Sequence, residues 1–246
     1  MTCKNCNSEF EGKFCNYCGQ SAAVQRINWR YLSNSIADNV FQINHGFLYT
    51  AKTLLISPGK SLNKFFLGKR KNFYNPFAFL LISTTLFLLS TELFGNKTFF
   101  DEAVSGIRIT FNSRQDIIAD LRILDLIIRN QTIIFLFIAP LFSIASFLSF
   151  RKSSYNFSEH LILNLYITGE QLLIYSLFSF FIDQNSELVV VPLVLGFLYN
   201  LYVYNQFFKS TNWLKRNLKF VFTYFTYILL MIISMVIFVL LTVSLK

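Results

Sequence analysis

Five apolar runs constrain this chain more than any other feature. They cover about 77–94, 132–150, 161–182, 188–208 and 220–245. Roughly 20 apolar residues cross the hydrocarbon core as a helix. In lipid every backbone N–H and C=O must be satisfied within the protein, so runs of this length are expected to be helical. Only 14% of the residues are charged, against roughly 25% in a soluble domain, which is too few to cover a water-facing surface. The fold class expected is therefore an all-α integral membrane protein. Its five transmembrane helices would be preceded by interfacial amphipathic helices and a small four-cysteine zinc knuckle or ribbon. The domains read as 1–22 for the cysteine head, 23–76 for a cytoplasmic amphipathic segment and 77–246 for the five-span bundle. Residues 1–23 carry no apolar core of the signal-peptide kind, so the first span is expected to act as an uncleaved anchor.

Basic residues near the span ends set orientation. Ten of the 22 precede the first span, two lie in the second loop (Arg151, Lys152) and four in the fourth (Lys209, Lys215, Arg216, Lys219), making sixteen on one side. The first loop holds five, the third none and the last span is followed by Lys246, making six on the other. The N-terminus is thus expected in the cytoplasm and the C-terminus outside. Much of the net charge of +9 then faces the leaflet where anionic lipid attracts it.

All four cysteines lie in the head, as Cys3-Lys-Asn-Cys6 and Cys15-Asn-Tyr-Cys18. Two such pairs this close together suit tetrahedral Zn²⁺, each pair supplying two thiolates from one tight knuckle. Redox dithiols and a pair of disulfides are the competing readings, and a reducing cytosol favours metal over the latter. Four thiolates leave no open position, which argues against catalytic zinc. A knuckle needs positive φ after its second cysteine, and Asn7 and Gly19 occupy those positions. Phe10 and Phe14 flank Glu11-Gly12, which suggests a hairpin turn between the knuckles. A head of this size cannot bury a core, so bound metal would supply most of its folding free energy. With Lys4, Lys13 and Tyr17 as its only basic and stacking groups, nucleic acid is not an expected partner.

Beyond the head, Phe47, Leu48, Ala51, Leu54 and Leu55 follow helical spacing until Pro58-Gly59. A second stretch then sets Leu62, Phe65 and Phe66 against Lys60 and Lys64. This pattern suits helices lying in the membrane interface, with Lys69, Arg70 and Lys71 on anionic headgroups. The competing reading is a soluble helical pair packed on the bundle. Pro76 is placed to start the first span.

The combination of Phe14-Cys15-x-x-Cys18-Gly19-Gln20, Thr53-Leu54-Leu55-x-x-Pro58-Gly59 and Phe66-x-Gly68-Lys69-Arg70-x-x-x-Tyr74-x-Pro76 resembles a bacterial membrane-protein family, domain of unknown function 3667. The matching motifs cover about the first 80 residues. The resemblance implies architecture and a bacterial cytoplasmic (inner) membrane, and brings no activity.

Inside the spans, Glu170 stands about 14 Å from the cytoplasmic start of the third, counted from Leu161 at 1.5 Å per residue. Asn200 and Tyr204 fall at comparable depth in the fourth. Such groups face a partner or a cavity, and Glu170 is expected between helices, hydrogen-bonded near Asn200 or Tyr204. His160 reads as an interfacial residue rather than a ligand. Residues 117–128 suggest a surface helix on the outer face. Hydrolase, phosphate-loop and dinucleotide motifs are absent, so no enzyme is expected. The function read here is an assembly, docking or regulatory component, with a protein partner or a second copy beside the lipid. The alternative is a channel or transporter with a pathway near Glu170 and Asn200.

Overall fold

The computed structural model describes residues 1–33, 46–94, 131–181, 190–209 and 212–244. Among these, a short helical stretch at 29–33 and seven longer helices follow the head: α1 Gly46–Ile56, α2 Pro58–Phe66, α3 Pro76–Leu93, α4 Gln131–Ser149, α5 Phe157–Ser179, α6 Val190–Phe207 and α7 Trp213–Ser244. The proposed outer-face helix at 117–128 and His45 lie outside the described residues.

Local chemistry fixes the helix starts. Pro58 and Pro76 open α2 and α3, where the missing N–H has no partner to lose. The Asn75 side chain accepts from the amides of Phe77 at 2.9 Å and Ala78 at 3.3 Å. Asn156 caps the Glu159 amide at 2.9 Å, and the Glu159 carboxylate returns to the Asn156 amide at 2.8 Å. That reciprocal pair starts α5 four residues before the apolar run at Leu161.

α3 and α5 form the most extensive helix pair, α4 lies against α5 and α7, and α6 packs on α2, α5 and α7. Gly169 permits the α3–α5 approach, since a Cβ there would lie 2.7 Å from a Phe79 ring carbon. Among the described residues, three helices are long and apolar enough to cross a membrane: Pro76–Leu93, Phe157–Ser179 and Trp213–Ser234. Five were expected. α6 falls short because Asn200, Asn205, Gln206 and three tyrosines interrupt its apolar run. In α4 the apolar stretch among fully described residues is Leu136–Ser149. α7 is 32 residues long, about 48 Å at 1.5 Å per residue, and exceeds a core of about 30 Å. Its first two turns carry Lys215, Arg216 and Lys219, ahead of the span expected from 220.

The segment before α3 packs differently from the interfacial expectation. Leu54, Leu62 and Phe65 are each buried, in one cluster with Tyr74, Phe79, Tyr166, Val203 and Phe207 of the bundle. Phe65 meets Tyr166 edge-on at 5.4 Å. Gly59 presses its backbone onto α6, where a Cβ would come within 2.2 Å of Gln206 Cβ. Thr50 Oγ1 accepts from the Tyr74 amide at 2.8 Å, and Tyr199 donates to the Leu54 carbonyl at 3.3 Å. The apolar face of α2 is thus occupied by protein. Leu48, Leu55 and Ile56 of α1 remain exposed, an apolar outer face of the kind the interfacial reading calls for.

Candidate metal centre

Each knuckle closes its own short hairpin, and the two repeat with an offset of twelve residues. In the first, the Cys3 amide donates to Ser8 O at 2.9 Å, Asn7 N to Cys3 O at 2.9 Å and Phe10 N to Met1 O at 3.0 Å. In the second, Cys15 N donates to Gln20 O at 2.9 Å, Gly19 N to Cys15 O at 2.8 Å and Ala22 N to Lys13 O at 2.9 Å. Antiparallel bridges pair Thr2 with Glu9 and Phe14 with Ser21. Asn7 has φ 61° and Gly19 φ 69°, the left-handed backbone that both residue types permit. Glu11-Gly12, with Gly12 at φ 104°, joins two hairpins rather than forming the tip of one. The reason is that each Cys-x-x-Cys already turns the chain through its own tight loop.

This symmetry brings the four sulfurs within 4.8 Å of one another. Cys3 Sγ and Cys18 Sγ are 3.6 Å apart, as are Cys6 Sγ and Cys15 Sγ. These separations exceed a disulfide bond of about 2.05 Å. They approach the roughly 3.75 Å edge of a tetrahedron of thiolates around an ion 2.3 Å away. The four cysteines are free, and the cluster can hold a metal ion. Cys3 and Cys15 are buried beside Phe10, while Cys6 is exposed.

Backbone amides point at the sulfurs as a metal knuckle requires. The Cys6 amide, with that of Asn5, holds the Cys3 thiol below its ordinary value. The Ser8 hydroxyl, followed by the Ser8 amide, holds Cys6 down at about 6. The Gln20 amide also faces Cys18, but burial and the Cys3 thiol beside it outweigh this and push Cys18 up to about 11. Cys3 Sγ and Cys18 Sγ are within hydrogen-bond distance at 3.6 Å. A divalent cation would stabilise all four thiolates.

The head is not a free appendage. Gln20, buried at 5% exposure, donates from Nε2 to Gly68 O at 3.0 Å and accepts at Oε1 from the Arg70 amide at 3.0 Å. Lys4 donates to Val24 O at 2.8 Å and crosses Gly68, where an added Cβ would meet its Cδ at 2.9 Å. Lys71 Nζ lies 3.2 Å from where a Cβ on Gly19 would be. Arg70 turns inward, with Nε to Phe65 O and Nη2 to Gln25 O, both at 3.1 Å. Its guanidinium sits over Tyr31 at 4.7 Å and Phe65 at 5.2 Å. Of the three residues read as headgroup ligands, Arg70 is therefore committed to protein, and Lys69 and Lys71 are partly or fully exposed. Downstream, Arg26 grips Glu159 bidentately at 2.9 and 2.8 Å and donates to Ser154 O. Asn156 Nδ2 donates to Ile27 O at 2.9 Å.

The polar residues read from the sequence as intramembrane are buried but divided between networks. Tyr204 donates to Asn164 Oδ1 at 2.9 Å, Asn164 Nδ2 reaches Ser143 at 3.2 Å, and Asn200 Nδ2 donates to Tyr224 at 3.0 Å. Glu170 Oε2 and Asn200 Oδ1 have no partner among the described residues, so the expected bond from Glu170 to Asn200 or Tyr204 is not formed through that oxygen. His160 is buried within the protein, with Nδ1 at 2.7 Å from Ser146 Oγ and its ring stacked on Phe208. Sequence reasoning missed Gln20 and the Arg26–Glu159 pair, both long-range. Asn156-x-x-Glu159 carried a readable capping signature.

No curated protein and no solved structure is found to match the chain. Residues 44–88 match a family model described as a protein of unknown function, DUF3667, over α1, α2, the Gly68–Arg70 turn and most of α3. Through that segment, the one whose motifs carry the resemblance, the chain is similar to this family of unknown function.

Proposed function

We propose that this protein is a non-enzymatic, multi-pass protein of the bacterial inner membrane whose N-terminal head holds one structural Zn²⁺ and serves in assembly, docking or regulation. The observation that carries the reading is the convergence of four sulfurs with 3.6 Å edges, a closed donor set with no position for substrate. Cys3, Cys6, Cys15 and Cys18 would hold the ion. When bound it supplies a cross-link between two hairpins that share only Cys3, Phe10 and Cys15 as buried apolar contacts. Five spans, near 77–94, 132–150, 161–182, 188–208 and 220–245, would place the head in the cytoplasm, where thiolates stay reduced. α4 and α6 would cross as members of the bundle, with Ser143 and Ser146 of α4 and Asn200 and Tyr204 of α6 turned to protein. Lys69 and Lys71, with Lys60 and Lys64, would meet anionic headgroups.

Purification from membranes in mild detergent tests the role. The reading expects one zinc per chain and a stoichiometric partner protein or second copy. A zinc-free monomer that catalyses a reaction would contradict it. Replacing Cys15 with Ser should remove the metal and the association together.

A further inference from the structure

We propose that the metal head docks one of its faces on the chain's own turn after α2, so that metal binding in the head clamps this turn against the membrane helices. The inference rests on the reading that the cysteines hold a metal ion.

The argument starts from the repeat. In the first hairpin the residue two after the knuckle is Ser8, whose hydroxyl serves Cys6. The equivalent position in the second hairpin is Gln20, whose side chain leaves the head altogether. Its carboxamide offers one donor and one acceptor, and both are used on the backbone of Gly68 and Arg70, as a neighbouring strand would use them. Such two-point recognition requires Gln20 to be held in register, and Cys18, two residues earlier, is what the metal would fix. The Lys4 side chain of the first knuckle lies against Gly68 and is held there by its bond to Val24 O, so residues of both hairpins contact the turn.

From the turn, contacts run unbroken into the bundle. Arg70 lies over Phe65 at 5.2 Å, and Phe65 meets Tyr166 of α5 at 5.4 Å. Tyr166 in turn donates to the Tyr74 carbonyl just before α3. The strap that follows Gln20 is tied twice more, by Arg70 to Gln25 O and by Arg26 to Glu159 at the start of α5. Docking surfaces kept for an outside protein would leave Gln20 and Gly68 accessible, whereas here both are buried. Because docking and metal binding both require an ordered second knuckle, each should strengthen the other.

Hydrogen exchange read by mass spectrometry on the full chain in lipid nanodiscs tests this, comparing protein as purified, protein treated with a chelator, and Gln20→Ala. Metal content is measured on each sample. Peptides covering 66–74 should exchange at least tenfold faster after chelation and in Gln20→Ala, while peptides within 157–179 stay protected. Gln20→Ala should still bind one metal per chain, several-fold more weakly. Gln20→Glu, which keeps the acceptor for the Arg70 amide, should fall between, and it replaces Gln20→Ala if that variant does not fold. Metal at one per chain with 66–74 unchanged on chelation overturns the clamp and leaves the metal reading standing. So does loss of protection spread equally over 157–179. Purified protein that holds no metal overturns the metal reading itself.

Discussion

Gly59→Ala separates a packed α2 from one lying on lipid. At an exposed position near a helix start, this change removes unfolded-state freedom and stabilises by about 0.4–1 kcal/mol. Here a Cβ would lie 2.2 Å from Gln206 Cβ, and 2.7 and 3.0 Å from the Gln206 backbone. Backbone atoms cannot swing aside as a side-chain tip can. Carbon contacts settle near 3.5 Å, so α2 and α6 must part by about 1.3 Å. That separation also breaks the bond from the Gly59 amide to Gln206 Oε1, now 3.0 Å, worth about 1 kcal/mol. Overpacking of this kind costs about 1–3 kcal/mol, so the net expectation after the helix gain is a loss of about 2 kcal/mol, roughly 30-fold in the unfolding equilibrium. Equilibrium unfolding of the full chain in mixed micelles by added SDS, followed by tryptophan fluorescence, would measure it. A Gly59→Ala variant as stable as the parent or more so would refute the packing argued for α2.

Three further outcomes follow from other parts of the molecule. In metal-free protein at rising pH, Cys6 should alkylate with a midpoint near its value of about 6, set by Ser8. Cys18, held up at about 11, should stay slow through neutral pH; Ser8→Ala should move the Cys6 midpoint upward, and an unchanged midpoint would contradict that cause. Because a depressed thiol favours thiolate above its folded pKa, this contribution to metal retention should persist at neutral pH and fall away as pH drops through about 6. Glu170→Gln should leave SDS unfolding within about 0.5 kcal/mol of the parent, because the amide fits the same buried space and Oε2 has no described partner to lose; a folding defect would show that the carboxyl is needed in the bundle. Reporter fusions at Leu32, Asn185 and Lys246 should place the first inside and the other two outside, and an external Leu32 reporter would overturn the charge argument.

What the sequence revealed and what it hid divide along the range of the interactions. Asn7 and Gly19 announced their positive φ because a knuckle of two cysteines leaves no other backbone route, and Pro76 announced the start of α3 because a fixed φ and a missing N–H suit the first helical position. Leu54, Leu62 and Phe65 announced an apolar face but not its occupant, since lipid and protein ask for the same side chains. Gly59 could not reveal Gln206, 147 residues away. Arg70 looked like a headgroup ligand because its neighbours Lys69 and Lys71 are basic. Only the fold shows that the Gln20 carboxamide and the Tyr31 and Phe65 rings surround it. His160 and Glu170 lie on the same helix, yet among the described residues one has a serine partner and an oxygen of the other has none. In α6, tyrosines and amides diluted an apolar run that packing turns inward.

X-ray absorption at the zinc edge of the purified full chain tests the central claim most directly. The account predicts one zinc per chain with four sulfur ligands near 2.3 Å and no nitrogen or oxygen in the shell. Oxygen or nitrogen ligands, a shell of fewer sulfurs, or cysteines recovered as disulfides without metal would contradict it.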